Sequence, residues 1–316
     1  MTESKQSAQT RQESDPGTDG RRCGFVAIIG APNAGKSTLV NALVGSKVTI
    51  VSHKVQTTRV PVRGIVIDGR SQIVLVDTPG IFQPRRRLDR AMVGAAWGRA
   101  GDADIILLLV DAARGIDEDT GRILDGLKRI DRPKLLALNK VDRVEKPALL
   151  ALAQELNSRH AFAETFMISA LDGSGVADLK SRLASLSPEG PWHFPEDDIS
   201  DLPLRMLAAE ITRERIYKWL HDELPYSIAV ETSGWKDLRD GSVRIEQTIY
   251  VERDGQKGIV LGKGGQTVKQ ISSEARSEIA AIVERPVHLF LFVKVRERWG
   301  DDPERYREMG LEFPKD

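Results

Sequence analysis

Three short runs hold the residues whose types and spacing can do chemistry. The first, Gly30-Ala31-Pro32-Asn33-Ala34-Gly35-Lys36-Ser37, fits the spacing G-x-x-x-x-G-K-[ST]. Glycines let such a loop curl until successive N–H groups point at phosphate oxygens, and a helix starting there adds the positive end of its dipole. Lys36 can then reach the β- and γ-phosphates of a nucleotide and the Ser37 hydroxyl can ligate Mg2+, with Thr38 beside them. The second run, Asp77-Thr78-Pro79-Gly80, ends the apolar stretch QIVLVD. A carboxylate at that strand end belongs beside the metal, and the Gly80 N–H can meet a γ-phosphate. The third, Asn139-Lys140-Val141-Asp142, ends KLLALN. Asp142 can accept from the N1–H and 2-amino group of guanine. Adenine offers neither, and a buried carboxylate left unpaired discriminates strongly. Lys140 can lay its stem over the base and Asn139 can tie its loop back to the phosphate loop. Ser169-Ala170-Leu171 supplies a backbone N–H for guanine O6. Together these indicate a guanine-nucleotide domain that takes GTP or GDP with Mg2+.

Two further expectations concern hydrolysis. Gln56-Thr57-Thr58-Arg59 lies where a switch loop would sit, and Thr58, rather than Thr57, is taken as the residue that completes the metal shell with Ser37 and Asp77. The second switch is expected at IFQPRRRLDR (81–90), whose four arginines suit a solvated face, or contact with RNA or a partner. The position after Gly80, which holds a water-orienting Gln in many small GTPases, is Ile81 here, so slow intrinsic hydrolysis is expected. Asn33 is a candidate ligand for a monovalent cation such as K+ that would supply positive charge instead.

The elements that must position these groups are readable. Apolar runs at 25–30, 72–77, 104–111, 134–139 and 164–169 alternate with helical stretches at 36–45, 148–160 and 176–186. That rhythm predicts a doubly wound, mostly parallel α/β sheet, with 63–69 as an edge strand. Residues 1–22 lack apolar periodicity and read as a disordered tail. A Pro-, Gly- and acid-rich stretch near 188–202 reads as a linker between a first domain (23–187) and a second (203–316).

The second domain runs helix, two strands, a Gly-rich turn, a helix at 266–283 and a strand at 287–295. Gly262-Lys263-Gly264-Gly265 gives a G-x-x-G turn, expected after a strand and before a helix, as in the RNA-backbone loop of type II KH domains. Lys257, Lys263 and Lys269, with Arg253 and Arg276, face only Asp254 and Glu274 over 253–276. Ile259, Val260, Leu261, Val268 and Ile271 are expected to form the groove floor and the packing beneath it. Trp299 in the tail suits packing better than base stacking.

With 46 basic and 46 acidic residues the formal net charge is zero. That excludes a wholly basic nucleic-acid coat, but it averages opposed segments. Residues 23–190 carry 23 basic against 18 acidic side chains, 191–202 carry four acids, and the last twenty carry seven acids against four bases. The single Cys23 excludes a disulfide framework and fits a reducing compartment. No apolar run approaches the roughly 20 residues of a membrane span.

The motifs GAPNAGKSTLVNALVG, QTTR, DTPG, NKVD and SAL, and above all PEGPWHFPEDDISD followed by LAAEITRERIY, resemble the Era-type GTPases from Gly24 to about Phe313. The resemblance implies binding of 16S rRNA near its 3′ end, a part in assembly of the small (30S) ribosomal subunit, and a nucleotide state that switches RNA binding. It implies a cytoplasmic protein, with peripheral association at the inner membrane. A monomer is expected. Ile81 agrees with that class. A constitutive RNA-binding assembly factor with a structural nucleotide site is the competing reading; a metabolic P-loop kinase is disfavoured by Asn139-Lys140-x-Asp142.

Overall fold

The computed structural model describes residues 20–52, 57–59, 62–221, 224–297, 299 and 302–314. The tail expected over 1–22 falls mainly outside these residues, as does Gln56. Arg22 is not part of a tail, however: it opens β1 (Arg22–Ile29) and pairs with Ser71.

The first sheet contains β1, β2 (Val62–Asp68), β3 (Ser71–Asp77), β4 (Ile105–Asp111), β5 (Lys134–Asn139) and β6 (Glu164–Ile168), in the order β2-β3-β1-β4-β5-β6. Only β2 runs antiparallel to its neighbour. The inner strands are buried on both faces, which their unbroken apolar runs anticipate. One face is covered by α1 (Lys36–Val44) and α5 (Val176–Leu186), through Leu39, Val40, Leu179 and Leu183. The other is covered by α2 (Arg87–Asp102), α3 (Glu118–Leu127) and α4 (Lys146–Arg159), through Ala96, Ile123, Leu127, Leu149 and Leu156. In this topology the loops after β1, β3, β5 and β6 open on one edge, where open α/β sheets bind ligands.

The second unit packs α6 (Leu204–Trp219) and α8 (Gln266–Val283) against a sheet of β7 (Ala229–Asp237), β8 (Val243–Val251) and β9 (Val287–Val295). β8 runs antiparallel to β7 and parallel to β9. One expectation needs correction. The residues before the G-x-x-G turn are not a strand but a helix, α7 (Asp254–Leu261), so the order is α-β-β-α-α-β. Gly255 and Gly258 lie inside it and weaken its local helix signal; burial of Val260 with Ile216, Ile249 and Ile271 holds it in place.

The stretch 188–202 is docked along the first sheet. Gln72, fully buried, accepts from the His193 and Phe194 N–H groups at 2.9 and 3.1 Å and donates to the Phe194 carbonyl at 2.8 Å. Ile65 N–H donates to the Ile199 carbonyl at 2.9 Å. The chain ends with α9 (Pro303–Glu308), whose Tyr306 joins Trp299 and Leu311 against Leu88 and Met92 of α2. Trp299 packs as expected, 3% exposed, with its indole N–H on the Ser227 carbonyl at 2.9 Å. Tyr306→Ala should cost about 3 kcal/mol of packing at that seat. Hydrogen exchange should rise in α9 and α2 while β1 and β4 stay protected; unchanged exchange would count against a packed tail.

Candidate functional site

At the carboxyl edge of the first sheet lies a cleft of about 270 Å3. Pro32, Asn33, Gly35, Lys36, Ser37 and Thr38 form its floor, Gly80 and Thr58 one side, and Asn139, Lys140, Asp142, Ser169, Ala170 and Leu171 the other. The three sequence runs thus converge. Gly30, Ala31, Ala34, Asp77, Thr78 and Pro79 lie behind that wall. The Ala31 and Ala34 methyls pack into the two core layers, and Thr78 donates to the Ile28 carbonyl at 2.7 Å.

The loop between β1 and α1 is held open from behind. Asn139 donates to the Ala34 carbonyl at 2.8 Å and accepts from the Ala170 N–H at 2.9 Å. One 2% exposed amide therefore joins the phosphate loop, the end of β5 and the loop after β6. Lys140 donates to the Asn33 carbonyl at 2.7 Å and pairs with Asp111 at 2.6 Å. Asn33 and Lys140 both adopt left-handed φ, 64° and 66°. Asp142, expected as a buried carboxylate, is instead exposed at the cleft mouth, with Arg143 Nε at 3.7 Å. Leu171, 78% exposed, stands at the rim.

Lys36 is 7% exposed and donates to the Gly30 and Ala31 carbonyls, each at 3.0 Å. Burial lowers its pKa to about 8, against a smaller upward pull from Asp77. A phosphate arriving in the loop would stabilise the ammonium form that burial disfavours.

Ser37 Oγ, Thr58 Oγ1 and Thr49 Oγ1 all lie on Asp77 Oδ2, at 2.8, 3.1 and 2.9 Å, and Ser37 and Thr58 stand 3.0 Å apart. Burial raises the Asp77 pKa, opposed by the Ser37 hydrogen bond and the Lys36 charge. Its other oxygen, Oδ1, is buried without a hydrogen-bond partner. Two hydroxyls gathered on a buried carboxylate form an oxygen-only donor set that suits Mg2+. Thr57 instead donates to the Ser52 carbonyl at 3.3 Å. The Ile81 side chain is 3% exposed and faces the core, not the cleft. Sequence reasoning missed Thr49, whose role depends on a loop folding back onto β3, and Arg143, which lines the cleft only because the segment after Lys140 turns.

In the second unit α7 and α8 are joined by Gly262-Lys263-Gly264-Gly265. Gly262 has φ 72°, and a Cβ there would sit 2.1 Å from Thr267 Oγ1. Gly264 has φ 62° with open space around it. Lys263 and Lys269 are exposed and Lys257 is half-buried. Of the expected apolar floor, Val260 and Ile271 are core residues, whereas Ile259 is 58% exposed beside the loop.

Asn139→Ala would strand the buried Ala34 carbonyl and Ala170 N–H, at a cost of about 1–3 kcal/mol for each group. Affinity for GDP and for a GTP analogue should fall together by at least about tenfold. Calorimetric titration checks this, and unchanged affinity would contradict the tie.

Residues 25–140 match the 50S ribosome-binding GTPase family and residues 223–300 match the KH domain family. The chain is 67% identical over 295 residues to GTPase Era of Afipia carboxidovorans, covering 93% of this chain and 96% of that one. It is 64% identical over 306 residues to GTPase Era of Rhizobium meliloti, covering 97% and 98%. Among solved structures it resembles Era in complex with MgGDPNP and nucleotides 1506–1542 of 16S ribosomal RNA. The TM-score is 0.87 and the identity 40%, with 92% of this chain and 99% of that one covered. A single-residue variant of Aquifex aeolicus Era bound to GDP.AlF4− matches with the same values. With the guanine cleft, the G-x-x-G loop and these relatives spanning nearly its whole length, the chain belongs to the GTPase Era family.

Proposed function

We propose that the chain hydrolyses GTP and binds 16S rRNA near its 3′ end, assisting assembly and maturation of the small ribosomal subunit, with its nucleotide state switching RNA binding. The observation that carries this reading is the pairing, in one chain, of a guanine-reading cleft with an exposed G-x-x-G loop. The solved relative bound to MgGDPNP and 16S nucleotides 1506–1542 supports the choice of RNA. Residues 23–187 act as the GTPase domain, 188–202 as the connector and 203–316 as the KH domain with its tail. The chain acts as a monomer in the cytoplasm. Among the described residues no helix is long and apolar enough to cross a membrane, so inner-membrane contact is peripheral.

In the cleft, the N–H groups of Asn33 to Thr38 and the Lys36 ammonium bind the phosphates. Asp142 and the Ser169-Ala170-Leu171 loop read guanine, and Ser37, Thr58 and Asp77 would hold Mg2+. When bound, Mg2+ neutralises charge between the β- and γ-phosphates. No polar side chain stands at position 81 to orient water, so hydrolysis depends on positive charge supplied otherwise. Asn33, on the cleft floor beside Gly80, holds K+ for that purpose. Turnover is expected to be several-fold faster in potassium than in sodium buffer, and equal rates would contradict the K+ site.

Lys257, Lys263 and Lys269 carry phosphate contacts around Gly262, Gly264 and Gly265, while Ile259 meets a base. KH grooves take about four single-stranded nucleotides, and affinity should fall steeply with salt. An RNA of the 16S 3′ end should bind more tightly with a non-hydrolysable GTP analogue than with GDP. Equal affinity would favour the constitutive RNA-binding factor, because a ligand without differential affinity shifts no population. Gly264→Asp keeps a tolerated left-handed conformation in open space, yet its carboxylate should abolish RNA binding while GDP affinity stays intact. Normal RNA binding by that variant would overturn the groove.

A further inference from the structure

Thr58 and Arg59 are neighbours in the chain that face opposite ways. Thr58 meets Ser37 and Asp77 at the metal site. Arg59, 2% exposed, enters the seam with the second unit. There its Nη1 donates to the Ile228 carbonyl at 2.7 Å and its Nη2 to the Tyr226 carbonyl at 2.8 Å. Its guanidinium lies 5.7 Å from the ring centroid of Trp299, which is itself pinned to Ser227. A second buried guanidinium reaches back: Arg213 of α6 donates to the Thr57 carbonyl while pairing with Glu210. Farther along the loop, Val51 N–H donates to Glu214 at 2.8 Å, and Lys47 bridges Glu214 and Glu278.

Buried, the Arg59 guanidinium loses hydration that only well-placed acceptors offset, with the Glu210 charge adding a favourable pull. Arg59 has such acceptors when residues 57–59 lie against 226–228. Its Nε has no hydrogen-bond partner, so the seat is incompletely satisfied. Main-chain carbonyls fixed by the fold leave the guanidinium little play, and the adjoining peptide passes that constraint to Thr58.

We propose that Arg59 is a positioning residue. Seated on 226–228 and Trp299, it holds the Thr58 hydroxyl at the Mg2+ site, and a loaded Mg2+–GTP site in turn holds the second unit and the tail. Linkage requires the two effects to be equal in binding free energy. The proposal rests on the reading of Thr58 as a metal ligand used with the triphosphate and not with GDP.

The test uses the full chain and five variants: Arg59→Ala, Arg59→Lys, Trp299→Leu, the double variant of Trp299→Leu with Arg59→Ala, and Thr58→Ala. The readouts are the Mg2+ concentration for half-maximal binding of a non-hydrolysable GTP analogue, the affinity for GDP, and thermal unfolding. Arg59→Ala should raise the Mg2+ requirement about tenfold, within the usual range of coupling between sites, with GDP affinity changed less than about twofold. Arg59→Lys should fall between, since one ammonium replaces a fork that reaches two carbonyls. Trp299→Leu should shift the requirement in the same direction and add nothing in the double variant. An unchanged Mg2+ requirement, or equal loss of GDP and analogue binding, overturns the proposal. Should Arg59→Ala fail to fold, Arg59→Lys carries the same two outcomes. If Thr58→Ala weakens analogue and GDP alike, the reading of Thr58 fails instead, and that result is separate from the behaviour of Arg59.

Discussion

Three hydroxyls share one carboxylate oxygen at the centre of this molecule. Ser37 from α1, Thr49 and Thr58 from the loop that follows it, and Asp77 from the end of β3 meet within 2.8–3.1 Å. Burying a carboxylate is costly unless its oxygens are met, and Asp77 Oδ1 remains without a partner. That unmet oxygen suits a cation at the node, and on the proposed reading it would couple the loop carrying Thr58 to the occupant of the cleft.

The node extends outward along two covalent neighbours. Behind the phosphate loop, Asn139 and Lys140 fix carbonyls at Ala34 and Asn33, so that the nucleotide meets a preformed cradle. On the other side Thr58 leads at once to Arg59, which is buried against the second unit. The helix that follows the second switch carries Leu88 and Met92 onto Trp299, Tyr306 and Leu311 of the tail. Both segments flanking a γ-phosphate thus rest on the RNA-binding half of the chain. On the coupling proposed above, small shifts at the cleft would become shifts of a packed seam, because such seams have discrete arrangements and do not deform continuously.

Much of this was legible in the sequence, and the reason is physical. Strands buried on both faces must be unbroken apolar runs, and phosphate, guanine and Mg2+ each demand particular groups at the strand ends. Lys36, Asp77, Asn139 and Asp142 could therefore be placed by spacing alone. What was not legible depends on main-chain acceptors and distant partners. Arg59 bonds to two carbonyls about 170 residues away, and any residue type supplies a carbonyl. The helix at 254–261 was hidden by its glycines, since its stability comes from Val260 in the core and not from local propensity. The docking of 188–202 escaped for a similar reason: the buried Gln72 and main-chain bonds such as Ile65 to Ile199 hold it, and neither a lone Gln in a strand nor a main-chain pair carries a visible signal. The zero net charge hides local sign, because acidic connector and tail segments offset the basic stretch around the G-x-x-G loop.

The central claim is that the occupant of the cleft fixes the position of the second unit. It is tested most directly by a spin-label distance between cysteines introduced at Leu150 of α4 and Arg276 of α8, both exposed, while the native Cys23 stays buried at 6% exposure. With Mg2+ and a non-hydrolysable GTP analogue the account predicts one narrow distance distribution, matching the arrangement described above. With GDP it predicts a broadened or displaced one. The same distribution in both states would contradict it.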